Sequence, residues 1–246
     1  MSKNLAIDLY LELLKKTILY EIWLEHEGVD PDIRRQGLDC PAIAHSMIGR
    51  LRMENIQQCM TSVLEENIEG DFIETGVWRG GACIFMRGFL KVHGVNDRKV
   101  WVADSFEGLP VPNIEQYPQD KGDPHHTFDF LRVSLDEVRG NFQKYDLLDE
   151  QVHFLKGWFK DTLPTAPIEK IAVARLDGDM YSSTMESLRN IYPKVSIGGY
   201  IIIDDYGCLP NCAAAVTDFR KEFEIDEPLI KIDNTDLTGV YWRKMK

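Results

Sequence analysis

Asp71-Phe72-Ile73-Glu74-Thr75-Gly76-Val77-Trp78-Arg79-Gly80-Gly81 carries the chain from a short apolar run through a glycine-rich bend into a helical pattern. A parallel sheet wound with helices begins in this way, because glycine lets the backbone turn tightly and lets a ligand approach it before the helix starts. The bend is of the nucleotide-binding type but is not the dinucleotide fingerprint. Three residues, bulky Trp78 among them, separate Gly76 from Gly80, and no Walker lysine follows. A tight strand-to-helix connection with no ligand is the bland alternative.

Outward from this bend, β-branched runs go on alternating with helical ones. The pattern predicts strands at Asp71 to Val77, Lys99 to Phe106, Val152 to Phe159, Ile171 to Gly178 and Gly199 to Tyr206, with helices beginning near Gly80, Val133 and Ser182. After Asn211, read as an N-cap, a helix runs through Ala213 to Phe223. Leu229 to Asp233 and Gly239 to Arg243 then flank Asn234-Thr235-Asp236 as a hairpin at the sheet edge. The expected class is α/β, with a mostly parallel sheet.

Upstream, Leu5, Leu9, Leu13, Tyr20 and Trp23 fall at helical spacing, so one helix is expected over about residues 4 to 26, ended by Gly28. A turn-rich segment reaches Pro41, and a second helix runs from about Ser46 to Asn67. The broad apolar surface of the first helix suits either packing within the chain or a homodimer contact. Residues 1–69 are therefore expected to form a helical lid or dimerisation segment ahead of a sheet domain at 70–246.

With 44% apolar and 28% charged residues over 246 positions, the chain can bury one large α/β core. A net charge of −12 argues against a nucleic-acid partner, which needs a basic footprint. Five scattered cysteines, with neither a secretory leader nor a membrane span in view, predict a reduced, cytoplasmic setting. Cys208 and Cys212 lack a nearby histidine and read as small structural residues rather than a zinc pair.

The chemistry gathers at strand ends. Leu176-Asp177-Gly178-Asp179-Met180-Tyr181 and Ile201-Ile202-Ile203-Asp204-Asp205-Tyr206 each close an apolar run with a pair of acids. Four carboxylates delivered to one rim of a sheet favour a hard cation; capping of the following helix is the competing role for Asp204-Asp205. Asp104, at the end of the second strand beside the glycine bend, is placed to accept ribose hydroxyls. Gly157, Trp158 and Phe159 can pack against a flat heterocycle or simply fill core.

The ordered set Glu74 to Gly81, Asp104-Ser105-Phe106-Glu107-Gly108-Leu109-Pro110, Leu176 to Tyr181 and Gly198 to Tyr206 resembles the macrocin O-methyltransferase (TylF) family over about residues 40 to 245. The resemblance implies a Rossmann-like class I methyltransferase sheet whose last strand is antiparallel. It also implies S-adenosylmethionine as cofactor and Mg2+, or another hard divalent cation such as Ca2+ or Mn2+. By position, it puts the methionine end of the cofactor along Glu74, Thr75, Gly76, Val77, Trp78, Arg79, Gly80 and Gly81. The ribose falls on Asp104 beside Ser105 and Phe106, the adenine near Gly157 and Trp158, and Asp177 borders the cofactor. The metal would rest on Asp177, Asp204 and Asp205, leaving Asp179 as the proton acceptor, although the sequence does not separate the roles of Asp177 and Asp179.

A small-molecule hydroxyl, on a sugar or a glycosylated natural product, is the implied acceptor. The long connection Pro110 to Asp129, with His125 and His126, reads as a lid or substrate wall in which either histidine is an alternative base. Rival readings are an NAD-type oxidoreductase or nucleotide-sugar enzyme, disfavoured by the missing glycine pattern, and a non-catalytic cofactor-binding protein, disfavoured by the full acidic set.

Overall fold

A computed structural model describes residues 3–232 and 239–246. Among them a sheet of seven strands has the order β3-β2-β1-β4-β5-β7-β6. Its strands are β1 (Asp71–Thr75), β2 (Val100–Asp104), β3 (Val152–Lys156), β4 (Ile171–Leu176), β5 (Val195–Ile203), β6 (Ile230–Lys231) and β7 (Val240–Arg243). The first five are parallel, and β7 runs antiparallel between β5 and β6. The expected closing pair is thus present and antiparallel; its turn at Asn234-Thr235-Asp236 lies outside the described residues.

Helices cover both faces. They are α1 (Lys3–Ile18), α2 (Pro31–Gln36), α3 (Gly49–Glu65), α4 (Gly81–His93), α5 (Leu135–Lys144), α6 (Phe159–Thr162), α7 (Tyr181–Ile191) and α8 (Pro210–Glu222). One core layer joins α1, α3, α4 and α5 to the sheet through Leu14, Met60, Phe85, Phe142 and Phe72; the other joins α7 and α8 through Leu188, Phe219 and Trp242. Each such buried side chain contributes about 1.5–3 kcal/mol. α1 lies close on α4 because Gly88 has no Cβ; one built there would stand 2.4 Å from Leu14 Cδ2. The helix buries Leu11, Leu14 and Ile18 within the chain while Leu9 and Leu13 stay exposed.

The predicted single helix over residues 4 to 26 is broken. α1 stops at Ile18, Tyr20 takes a left-handed conformation (φ 56°), and Glu21–His26 forms a 3-10 turn. Ile18 and Leu19 are both fully buried, Leu19 O accepts from Arg34 Nη1 at 2.7 Å, and Glu21 pairs with Arg50, contacts that hold the bend. The segment read only as turns contains α2, started by Asp30 as side-chain N-cap with Pro31 following. β3 ends at Lys156 rather than Phe159, since Gly157 (φ 138°) turns the chain into α6. Asn211 is not the cap of α8, which starts at Pro210; its Nδ2 instead donates to Asp123 Oδ2 at 3.5 Å. No helix among the described residues is long and apolar enough to cross a membrane.

Candidate active site

Strand order reverses between β1 and its neighbours β2 and β4, which opens a crevice at the strands' C-terminal ends. A cavity of about 350 Å³ occupies it. Glu74, Gly76, Val77 and Trp78 line the cavity from the first bend, whereas Thr75, Arg79, Gly80 and Gly81 stand behind them. Gly76 has φ 80°, and a Cβ there would lie 1.7 Å from the Asp177 carbonyl oxygen, so only glycine lets the ends of β1 and β4 meet this closely. Arg79 braces the N-terminal segment: Nη1 donates to Ala44 O at 2.9 Å and to Pro41 O at 3.2 Å, with the guanidinium 4.1 Å from the Trp78 ring centroid.

Asp104 and Ser105 line the next part of the wall, and Phe106 is buried beside it. Asp104 Oδ2 accepts from Val77 N at 2.8 Å, and Oδ1 from Phe106 N at 2.7 Å and Ser105 Oγ at 3.4 Å, which fixes the carboxylate at the bend. Burial raises its pKa against those N–H groups. Gly157 and Trp158 carry the wall onward, Gly157 N donating to Asp104 O at 2.9 Å. Trp78, Phe106 and Asp179 all adopt left-handed backbone conformations just after strand ends. Such local strain collects at ligand sites.

At the β4 and β5 ends, Asp177, Asp179 and Asp205 each present a carboxylate oxygen, all within 4.8 Å of one another. Burial first, then the Asp204 charge, pushes Asp177 up to about 6; burial first, then Asp177, pushes Asp179 up to about 7. Asp205 rises well above the usual carboxylate range, by burial and then by repulsion from Asp177. Asp204 is placed differently. It is buried with Oδ1 paired to Arg175 and Oδ2 to Arg52, and the two guanidiniums outweigh burial and hold its pKa down.

Three residues of this constellation went unread in the sequence. Arg175 pairs with Glu74, Asp177 and Asp204 from within β4, and its signal was one charge inside the apolar run Ile171 to Leu176. Arg52 reaches Asp204 from α3 while donating to Ile48 O at 2.7 Å and Gly37 O at 2.9 Å. Asp120, in the long connection, accepts from the first N–H groups of α7. His125 Nδ1 lies 2.7 Å from Asp123 Oδ1.

A doubly wound sheet ending in an antiparallel strand, with a nucleotide-type bend at its switch point and an acidic rim beside it, defines a class I methyltransferase. The family model described as Macrocin-O-methyltransferase (TylF) matches residues 25–244, and the chain belongs to that family. It is similar to demethyldecarbamoylnovobiocin O-methyltransferase of Streptomyces niveus, 51% identical over all of this chain and 95% of the relative. It is also similar to 8-demethyl-8-(2,3-dimethoxy-alpha-L-rhamnosyl)-tetracenomycin-C 4'-O-methyltransferase of Streptomyces olivaceus, 47% identical over 97% of this chain and 93% of the relative. Among solved structures, the O-methyltransferase NovP superposes with a TM-score of 0.93 at 52% identity, covering 98% of this chain and all of that one. The chain is an O-methyltransferase, and its fold implies S-adenosylmethionine as the methyl donor.

Proposed function

We propose that the protein methylates a sugar hydroxyl of a glycosylated natural product, with a divalent cation held at the β4 and β5 rim. The acceptor class follows the relatives, one of which acts by name on a rhamnosyl tetracenomycin. The observation that carries the cation is the convergence of Asp177, Asp179 and Asp205, three oxygen donors of which, among the described residues, only Asp177 is ion-paired with an arginine, Arg175. Hard oxygen ligands of this kind suit Mg2+, Mn2+ or Ca2+. Asp177 and Asp205 would hold the ion from within the cluster, and Asp204, whose oxygens pair with Arg52 and Arg175, would be the third ligand.

Glu74 to Trp78 would hold the methionine end of the donor in the cavity, Asp104 its ribose, and Gly157 with Trp158 its adenine. When bound, the cation lowers the pKa of a hydroxyl that binds to it and fixes that hydroxyl's direction. Asp179, at the same strand end as Asp177, would take the hydroxyl proton as the oxygen bonds to the methyl carbon in line and the sulfur–methyl bond breaks, with S-adenosylhomocysteine as the leaving group. Trp78 and Tyr117 line the cavity, and orienting the reacting atoms there would lower the barrier by on the order of 7 kcal/mol. Five free cysteines accord with a reducing cytoplasm. The exposed Leu9, Leu13 and Trp23 fit a homodimer contact, to be read by light scattering.

Incubation with methyl-labelled S-adenosylmethionine and a panel of glycosides, followed by mass spectrometry with and without EDTA, tests the proposal. Label should enter a sugar oxygen, vanish with chelator and return with Mg2+. Full transfer in excess chelator rejects the cation, and label confined to the aglycone rejects the acceptor class.

A further inference from the structure

Asp120 is fully buried although it lies midway along the connection between β2 and α5. Its Oδ1 accepts from Tyr181 N at 2.8 Å and its Oδ2 from Ser182 N at 3.0 Å. These are the first two N–H groups of α7, whose own N-cap, Met180, offers no side-chain acceptor. A residue remote in sequence therefore does what a local cap would do. Tyr117 adds a second contact at the same place, its ring centroid 6.0 Å from that of Tyr181.

The two partners matter for function. On one side, the connection walls the cavity through Val111, Asn113, Gln116 and Tyr117, with Val111 and Ile114 largely exposed. On the other, Tyr181 follows directly on the turn that carries Asp177 and Asp179. The far end of the connection has its own tie, since Trp78 Nε1 donates to Phe130 O at 2.8 Å. The near end is tied by Ser105 Oγ, which donates to Gly108 O at 2.6 Å, and the middle is held by Asp120, with a long contact from Asn211 Nδ2 to Asp123 Oδ2 at 3.5 Å beside it.

We infer that Asp120 is a positioning residue that pins the cavity wall to the catalytic turn and so retains the methyl donor. The inference rests on the donor placement proposed above. Asp120→Asn keeps the shape and one carbonyl acceptor but loses the charge facing the helix N-terminus; Asp120→Ala removes both acceptors. Two readouts separate anchoring from mere helix capping: amide hydrogen exchange over residues 110–124, and the calorimetric Kd for S-adenosylhomocysteine.

Both variants should exchange faster over 110–124 and bind S-adenosylhomocysteine about tenfold more weakly or worse, the effect of losing a charge-assisted hydrogen bond. The KM for the donor should rise while kcat at saturation stays within about threefold. Faster exchange confined to α7, with Kd and the 110–124 amides unchanged, would reduce Asp120 to a helix cap and overturn the inference. If the alanine variant does not fold, the asparagine variant gives the same readings. Failure of the wild-type chain to bind S-adenosylhomocysteine would instead count against the donor placement; the exchange measurement needs no ligand and decides the anchor alone.

Discussion

Replacing Arg175 with methionine leaves a side chain of similar length in β4 and removes the only guanidinium that touches Glu74, Asp177 and Asp204 together among the described residues. Arg175 and Glu74 are almost wholly buried, and Asp204 nearly so. Unpairing a buried ion pair costs about 3–5 kcal/mol, because the remaining carboxylates lose their counter-ion in a place water does not reach. The loss should depend on pH in a definite sense. Burial, above all, already raises Glu74 to about 7 and Asp177 to about 6, with Arg175 pulling both down. Without Arg175 both rise further above their unfolded values, so the folded variant takes up protons as pH falls and regains stability. Urea unfolding followed by tryptophan fluorescence should show the full deficit at pH 8 and a clearly smaller one at pH 5. A deficit under about 1 kcal/mol at pH 8, or one equal at both pH values, would refute this account of how the acids are balanced.

Other outcomes follow from the same geometry. Gly76→Ala forces a Cβ against the Asp177 carbonyl at positive φ and should cost about 3 kcal/mol or more together with S-adenosylhomocysteine binding; an unchanged melting temperature would contradict it. His45 is held down to about 4 by burial, then by Lys144 and Arg79, and its Nδ1 lies 2.8 Å from Tyr145 Oη. Its contribution is complete above the unfolded value near 6.5 and is lost as pH falls towards 4, so wild type should lose about 1–2 kcal/mol more than His45→Asn between pH 7 and pH 5. Asp179→Asn should lower kcat by about a hundredfold with little change in donor affinity, whereas the loss in Asp177→Asn should be partly recovered by extra Mg2+; recovery of the Asp179 variant instead would exchange the two roles.

Much of the fold was open to a reader of the sequence because parallel strands buried on both faces spell themselves as apolar runs, as Ile171 to Leu176 and Ile201 to Ile203 do. Their ends, and hence the rim acids, could be placed for the same reason. The bend at Tyr20 could not, since it is set by Arg34 and Arg50, residues later in the chain that the helical spacing of Leu5, Leu9 and Leu13 says nothing about. The partners of Asp204 were hidden for a similar reason: Arg52 lies 152 positions away on another element. Asp120 lies in a connection without a periodic pattern, and only the tertiary fold shows that it meets α7.

The most direct test of the central claim is a Mn2+ titration of the chain in the presence of S-adenosylhomocysteine, read by electron paramagnetic resonance. The account predicts one tightly bound ion per chain, with binding weakened at least tenfold in Asp177→Asn and in Asp205→Asn. No bound ion in wild type, or binding as tight as wild type in either variant, would contradict it.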